Sequence, residues 1–120
     1  MNFVFNIKPI SVNNLIRYNS KTHKAYRVPL YINFLDTIRK QLKEKYNEKP
    51  INYEVSLIVG FYIQKDQDVD NMIKSFLDAI SGFNFLLEND KIIRQITATK
   101  YKIGKTDSPK ITLNICKYSD

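Results

Sequence analysis

A chain of 120 residues with 43% hydrophobic and 26% charged residues has the length and composition of one compact globular domain, which excludes a disordered tail. Nineteen Lys and Arg against twelve Asp and Glu leave a net charge of +7, favouring a polyanionic partner such as nucleic acid or an anionic membrane surface. One cysteine, Cys116, and one histidine, His23, exclude an internal disulfide and the familiar cysteine and histidine metal motifs, so any bound metal is expected on oxygen ligands.

The apolar start, "MNFVFNI", is too short for a membrane span or a signal h-region, and a cytoplasmic protein with no membrane partner is expected. Phe3, Phe5 and Ile7 alternate along a short strand that ends near Pro9. The stretch "SVNNLIRYNSKTHKAYR", residues 11–27, is polar and shows no sustained period, so it reads as a long loop carrying Arg17, Lys21, Lys24 and Arg27. From Pro29, the helical spacing of Leu30, Phe34, Leu35, Ile38 and Leu42 predicts an amphipathic helix over 29–46. "EKP" breaks it. Ile51, Tyr53, Val55, Leu57, Val59, Phe61 and Ile63 then alternate through a strand expected to be central.

After "QKDQD", the residues Met72, Ile73, Phe76, Leu77 and Ile80 form the apolar stripe of a second helix, which stops at Ser81-Gly82. "FNFLLEN" connects to an Ile- and Thr-rich strand at about 91–102, and Ile111, Leu113 and Ile115 mark a last strand. "IGKTDSPK" between these two reads as a hairpin loop. The expected architecture is a small α/β (α+β) domain with a mixed sheet of about four strands and two helices, 1–120 forming a single unit.

The densest chemistry lies in "DQDVDNMIKSFLDAI", where Asp66, Asp68 and Asp70 precede the second helix and Lys74 follows one turn later. A helix N-terminus tolerates a carboxylate, but a cap needs a single side-chain oxygen, and three acids within five residues repel one another unless a cation lies among them. Two or three Asp side chains suit Mg²⁺, which prefers hard oxygens and keeps several waters. A calcium loop matches Asp66, Asp68 and Asp70 but fails at Asn71, where Gly is needed, and at Leu77, where a bidentate Glu is needed. Asp70, Lys74 and Asp78, four apart, share a helix ridge. The chain after the helix is long enough to return Asp90 or Glu88 to the helix start, and spacing alone does not choose between them.

"DVDNMIKSFLDAISG" followed by "LENDKII" resembles the RusA family of Holliday-junction resolvases. That pattern is D-x-D-N, a Lys four residues after the second Asp, D-A at the helix end, and later an Asp before an apolar pair. The family's opening, P-x-S-x-N, appears as Pro9, Ser11 and Asn13, so the resemblance spans nearly the whole chain. It implies that Asp68, Asp70 and Asp90 are metal-binding catalytic carboxylates, with Mg²⁺ or Mn²⁺ as cofactor, and that Lys74 is the catalytic lysine. Asp78 also matches a family position. Two departures are visible: this chain is one residue longer before Asp90, and "KDQ" precedes the first Asp where relatives are often richer in Arg, Lys or Pro. Asp66 is therefore an extra acid.

The resemblance further implies a small mixed α/β fold, a homodimer, and a metal-dependent endodeoxyribonuclease that resolves four-way DNA junctions by paired symmetric nicks. Arg17, Lys21, Lys24 and Arg27, with Lys100, Lys102 and Lys105 near the chain's end, are the candidate contacts to DNA phosphates. Tyr18, Tyr26, Phe83 and Phe85 are candidate wedges for an opened junction, His23 reads as a surface imidazole, and Cys116 reads as a half-buried thiol. Two other functions compete: a catalytically silent accessory protein that binds DNA junctions, and a phosphohydrolase acting on small molecules.

Overall fold

The computed structural model describes residues 1–11, 16–22, 24–81 and 85–119, with side chains for all of these except 16–19 and 25–27. The elements run β1 (Asn2–Phe5), β2 (Ile16–Asn19), β3 (Lys24–Arg27), α1 (Pro29–Lys45), β4 (Val55–Ile63), α2 (Val69–Ser81), β5 (Ile93–Lys102) and β6 (Lys110–Lys117). One sheet has the order β1-β6-β4-β5, with β5 parallel to β4 and the other pairs antiparallel. The expected mixed four-stranded sheet with two helices is what forms, and no described helix is long and apolar enough to cross a membrane.

Period-two alternation decides which face of the sheet is covered. Val55, Leu57, Val59, Phe61 and Ile63 of β4 are buried, as are Ile111, Leu113 and Ile115 of β6 and Phe3 and Phe5 of β1. Both helices lie on this face: Phe76 of α2 meets Phe5 and Phe61 edge-on at ring distances of 5.7 and 6.3 Å, and Tyr46, just after α1, meets Phe3 at 6.4 Å. The opposite face carries Val4, Ile58 and Tyr101, all exposed. Gly60 sits on it beneath Thr112, Tyr101 and Tyr62; a Cβ there would stand 2.6 Å from the Thr112 hydroxyl, so any larger residue would force that side chain to shift.

In α1, Pro29 pre-sets the first turn, and Lys43 and Lys45 favour the negative end of the helix dipole. Its buried ridge is Tyr31, Phe34, Leu35, Ile38 and Leu42. Tyr31 takes the first core position in place of Leu30, which is exposed.

Three sequence expectations are overturned. Residues 16–27 contain an antiparallel hairpin, β2 with β3, where a loop is expected. The strand expected from Ile51 starts only at Val55; Ile51 makes an isolated bridge to Leu87, and Tyr53 is exposed. Most consequentially, β5 and β6 are not a hairpin, because β4 lies between them. The connection 103–109 arches over the end of β4 and is tied down by Gln64, whose amide donates to the carbonyls of Gly104, Lys105 and Asp107 at 3.4, 3.1 and 2.9 Å. The strand with three buried aliphatics, β6, takes an interior place, and the more exposed β5 takes the edge.

Candidate active site

The site is built on the β4–α2–β5 crossover. Because β5 runs parallel to β4, the chain leaves the end of β4, returns along α2, and begins β5 near the far end of α2. The start of α2 thus faces the end of β5, and the end of α2 faces the start of β5.

Asp68 and Asp70 stand at the start of α2 and are exposed. The Asp68 carbonyl accepts from the Met72 amide at 3.2 Å, closing the first turn, and its carboxylate accepts from the Asn71 side chain at 3.4 Å. The loop leading to Asp68 is tethered from two sides: Gln67 donates to the Pro9 carbonyl at 3.1 Å, and Lys100 of β5 bonds Asp66 at 2.8 Å and the Gln67 carbonyl at 3.0 Å. That ammonium, by its hydrogen bond and its charge, holds the Asp66 carboxyl below the usual carboxylate range. Ser75, fully buried, donates to the Ile10 carbonyl at 2.7 Å, so the segment after β1 is docked against the acidic start of α2.

Further along α2 lies a cleft of about 350 Å³ lined by Lys74, Leu77, Asp78, Ser81, Asp90, Ile93 and Ile96. Lys74 and Asp78 project from one helix ridge, as the four-residue spacing predicts. Asp90 comes from the opposite wall, in a short 3₁₀ turn, Asp90–Ile92, whose start is fixed by the Asn89 side chain accepting from the Lys91 amide at 2.9 Å. Asp78 is held from behind by α1: the buried Tyr31 hydroxyl donates to its carboxylate, and Arg39 donates to the carbonyls of Asp78 and Ala79 at 3.0 and 3.2 Å. An acid in the last turn opposes the helix dipole, and the Arg39 cation at those carbonyls offsets this.

Asp90 therefore stands beside Lys74 and Asp78 of α2, with Asp68 and Asp70 one turn or more toward the helix start. Asp68 and Asp70 do not line the cleft, and among the described residues no three of His, Cys, Asp or Glu gather as a metal-ligating group. Asp68 and Asp70 alone offer two hard carboxylates open to solvent, a donor set that fits a cation retaining several waters. Glu88 is exposed, with its amide on the Ile51 carbonyl at 2.9 Å, and is not a cleft residue.

Among the candidate DNA contacts, Lys21, Lys24, Lys102 and Lys105 are exposed, Lys100 is ion-paired, and the side chains of Arg17 and Arg27 lie outside the described residues. Phe85 packs edge-on against Tyr46 at 6.1 Å, which removes it as a wedge. Phe83, His23 and the side chains of Tyr18 and Tyr26 lie outside the described residues. Cys116 is exposed, contrary to the expected half-buried thiol, because position 116 falls on the uncovered face.

Sequence reasoning missed Gln67, Asn71, Ser75, Tyr31 and Arg39. For two of them the signal was present: Asn71 and Ser75 are four apart and fall within the buried arc set by Met72, Phe76, Ala79 and Ile80. A polar pair in an apolar arc marks internal hydrogen bonding.

No curated protein matches the chain. A family model, "Endodeoxyribonuclease RusA", matches residues 6–116, a span that takes in the docked Pro9 segment, the acidic start of α2 and Asp90. With nearly its whole length covered, the chain belongs to the RusA family of endodeoxyribonucleases, which resolve Holliday junctions.

Proposed function

We propose that this protein is a Mg²⁺-dependent endonuclease that cuts four-way DNA junctions with paired symmetric nicks, acting as a homodimer. The observation that carries the reading is the family match across the acidic helix, together with the grouping of Lys74, Asp78 and Asp90 around one cleft beside Asp68 and Asp70.

Asp68 and Asp70 would hold Mg²⁺ or Mn²⁺ with several waters, which when bound supplies Lewis-acid stabilisation of a phosphate and a more acidic water, and the family pattern adds Asp90, which stands apart from them beside Lys74, as a third carboxylate. Hydrolysis adds a water oxygen to phosphorus and breaks the P–O3′ bond; the O3′ leaves with the bonding pair and is protonated. Lys74, whose ammonium has no ion-pair partner among the described residues, offers positive charge to the phosphoryl oxygens as negative charge builds on them. Lys21, Lys24, Lys102 and Lys105, with Arg17 and Arg27, would track the phosphates of the arms, an interaction that weakens steeply with salt. A junction has near two-fold symmetry, so a symmetric pair of identical sites matches two opposed strands.

The test is a labelled four-way junction incubated with Mg²⁺ and either wild type or Asp70→Asn. Symmetric nicks by wild type that vanish in the variant while binding survives support the reading. Salt-sensitive binding without nicks from either protein would make it an accessory binder instead. Loss of salt-sensitive DNA binding altogether would point to a small-molecule phosphohydrolase.

A further inference from the structure

Asp66 is the acid that the metal reading leaves over, and Lys100 is a candidate DNA contact that the fold has already engaged. Lys100 stands on the helix-covered side of β5, in register with the buried Phe61. Its side chain is 35% exposed, against 82% for Asp66. We propose that Lys100, with Asp66 as its counter-charge, is a positioning residue that fixes the loop carrying Asp68, rather than a contact to DNA. The proposal rests on the reading of Asp68 as a catalytic carboxylate.

The geometry differs from an ordinary surface ion pair, which restrains two side chains and contributes little. Here the same ammonium also donates to the Gln67 carbonyl at 3.0 Å, so it grips the main chain one residue before Asp68. From the other side Gln67 donates to the Pro9 carbonyl at 3.1 Å. Between the end of β4 at Ile63 and the start of α2 at Val69 there is no strand ladder to hold the backbone. Gln64 anchors the start of this segment to the 103–109 connection, and the two tethers hold its end, one from β5 and one from the segment after β1. Asp68 stands at the helix boundary, its carbonyl bonded to the Met72 amide and its carboxylate to the Asn71 side chain, so the loop before it governs only the other side of its placement. A reacting group displaced by about 1 Å can lose about a hundredfold in rate. Asp66 adds specificity to the grip: it draws the Lys100 ammonium to the loop and away from solvent, where a DNA phosphate would otherwise meet it.

The experiment separates rate from binding. Lys100→Met keeps the aliphatic stem and removes the donors. Single-turnover nicking of a four-way junction at saturating enzyme with Mg²⁺ is expected to fall on the order of tenfold. Kd for the same junction without Mg²⁺, and its salt slope, should stay within about twofold of wild type. Lys100→Arg, which retains donors for both acceptors, should recover most of the rate. Asp66→Asn, which keeps the carbonyl contact, should lose only about threefold. Lys102→Met, on the same strand but with no ion pair among the described residues, should instead weaken binding and lower the salt slope by about 0.9. Should Lys100→Met fail to melt cooperatively, Asp66→Asn and Lys100→Arg carry the test through the same two readouts. A Lys100→Met protein that behaves like Lys102→Met would overturn the proposal, as would one that nicks and binds like wild type. A wild type that nicks no junction would remove the nuclease reading itself, a result distinct from either.

Discussion

At its N-terminal end α2 presents Asp68 and Asp70 to solvent, over free amides and the positive end of the helix dipole, whereas near its C-terminal end it carries Asp78 against the dipole. The first pair needs no partner to be tolerated, and polar tethers on Gln67 and Ser75 place the backbone beneath it. Asp78 is tolerated because α1 supplies Tyr31 to its carboxylate and Arg39 to the adjoining carbonyls. One end is thus a hydrated site set on a tethered loop. The other is a packed joint between two helices that also forms a wall of the cleft. The difference teaches that similar acids on one helix serve separate purposes, decided by what lies behind them.

The comparison can be broken most sharply at the open end. Asp70→Asn should lower nicking by about a thousandfold with the fold and junction binding intact, read by gel assay beside a thermal melt. Ser75→Ala, which removes only the hydroxyl, leaves the buried Ile10 carbonyl without its donor and should cost about 2 kcal/mol in urea unfolding. At the packed end, Tyr31→Phe removes only the hydroxyl that Asp78 accepts from and should cost about 1 kcal/mol, with little effect on DNA affinity. If Asp78 were as free of its surroundings as Asp70, that substitution would leave stability unchanged. The smallest effect is expected far from both ends: Lys105→Ala on the arch should reduce the slope of log Kd against log salt by about 0.9 without altering the melt.

Much of this was legible in residue order. Phe3 and Phe5, the alternation from Val55 to Ile63, and the ridge from Phe34 to Leu42 each announced an element and its buried face. The hairpin at 16–27 was not legible, because two strands of four residues each are too short to write a sustained alternating pattern. The arrangement of β5 and β6 was hidden for another reason. Adjacent strands with a short connection suggest a hairpin, yet stepping over one intervening strand requires only about 10 Å, which a seven-residue link spans with ease.

For the site, the clustering of Asp66, Asp68 and Asp70 ahead of a helix, and the shared ridge of Lys74 and Asp78, followed from spacing. The side of α2 that Asp90 would meet did not. The reach of residues 82–89 allows Asp90 to lie at either end of the helix, and the parallel pairing of β5 with β4 puts it beside Lys74 and Asp78.

Sequence by itself determined the periodic elements, the oxygen-only character of any metal site and the acids at a helix start, since each depends on backbone repeat or residue chemistry within a few positions. Only the tertiary structure decided which polar groups meet: Lys100 with Asp66 across 34 residues, Tyr31 with Asp78 across 47. Such pairs arise from strand order and helix docking, and those are set by how the whole chain buries its apolar faces at once.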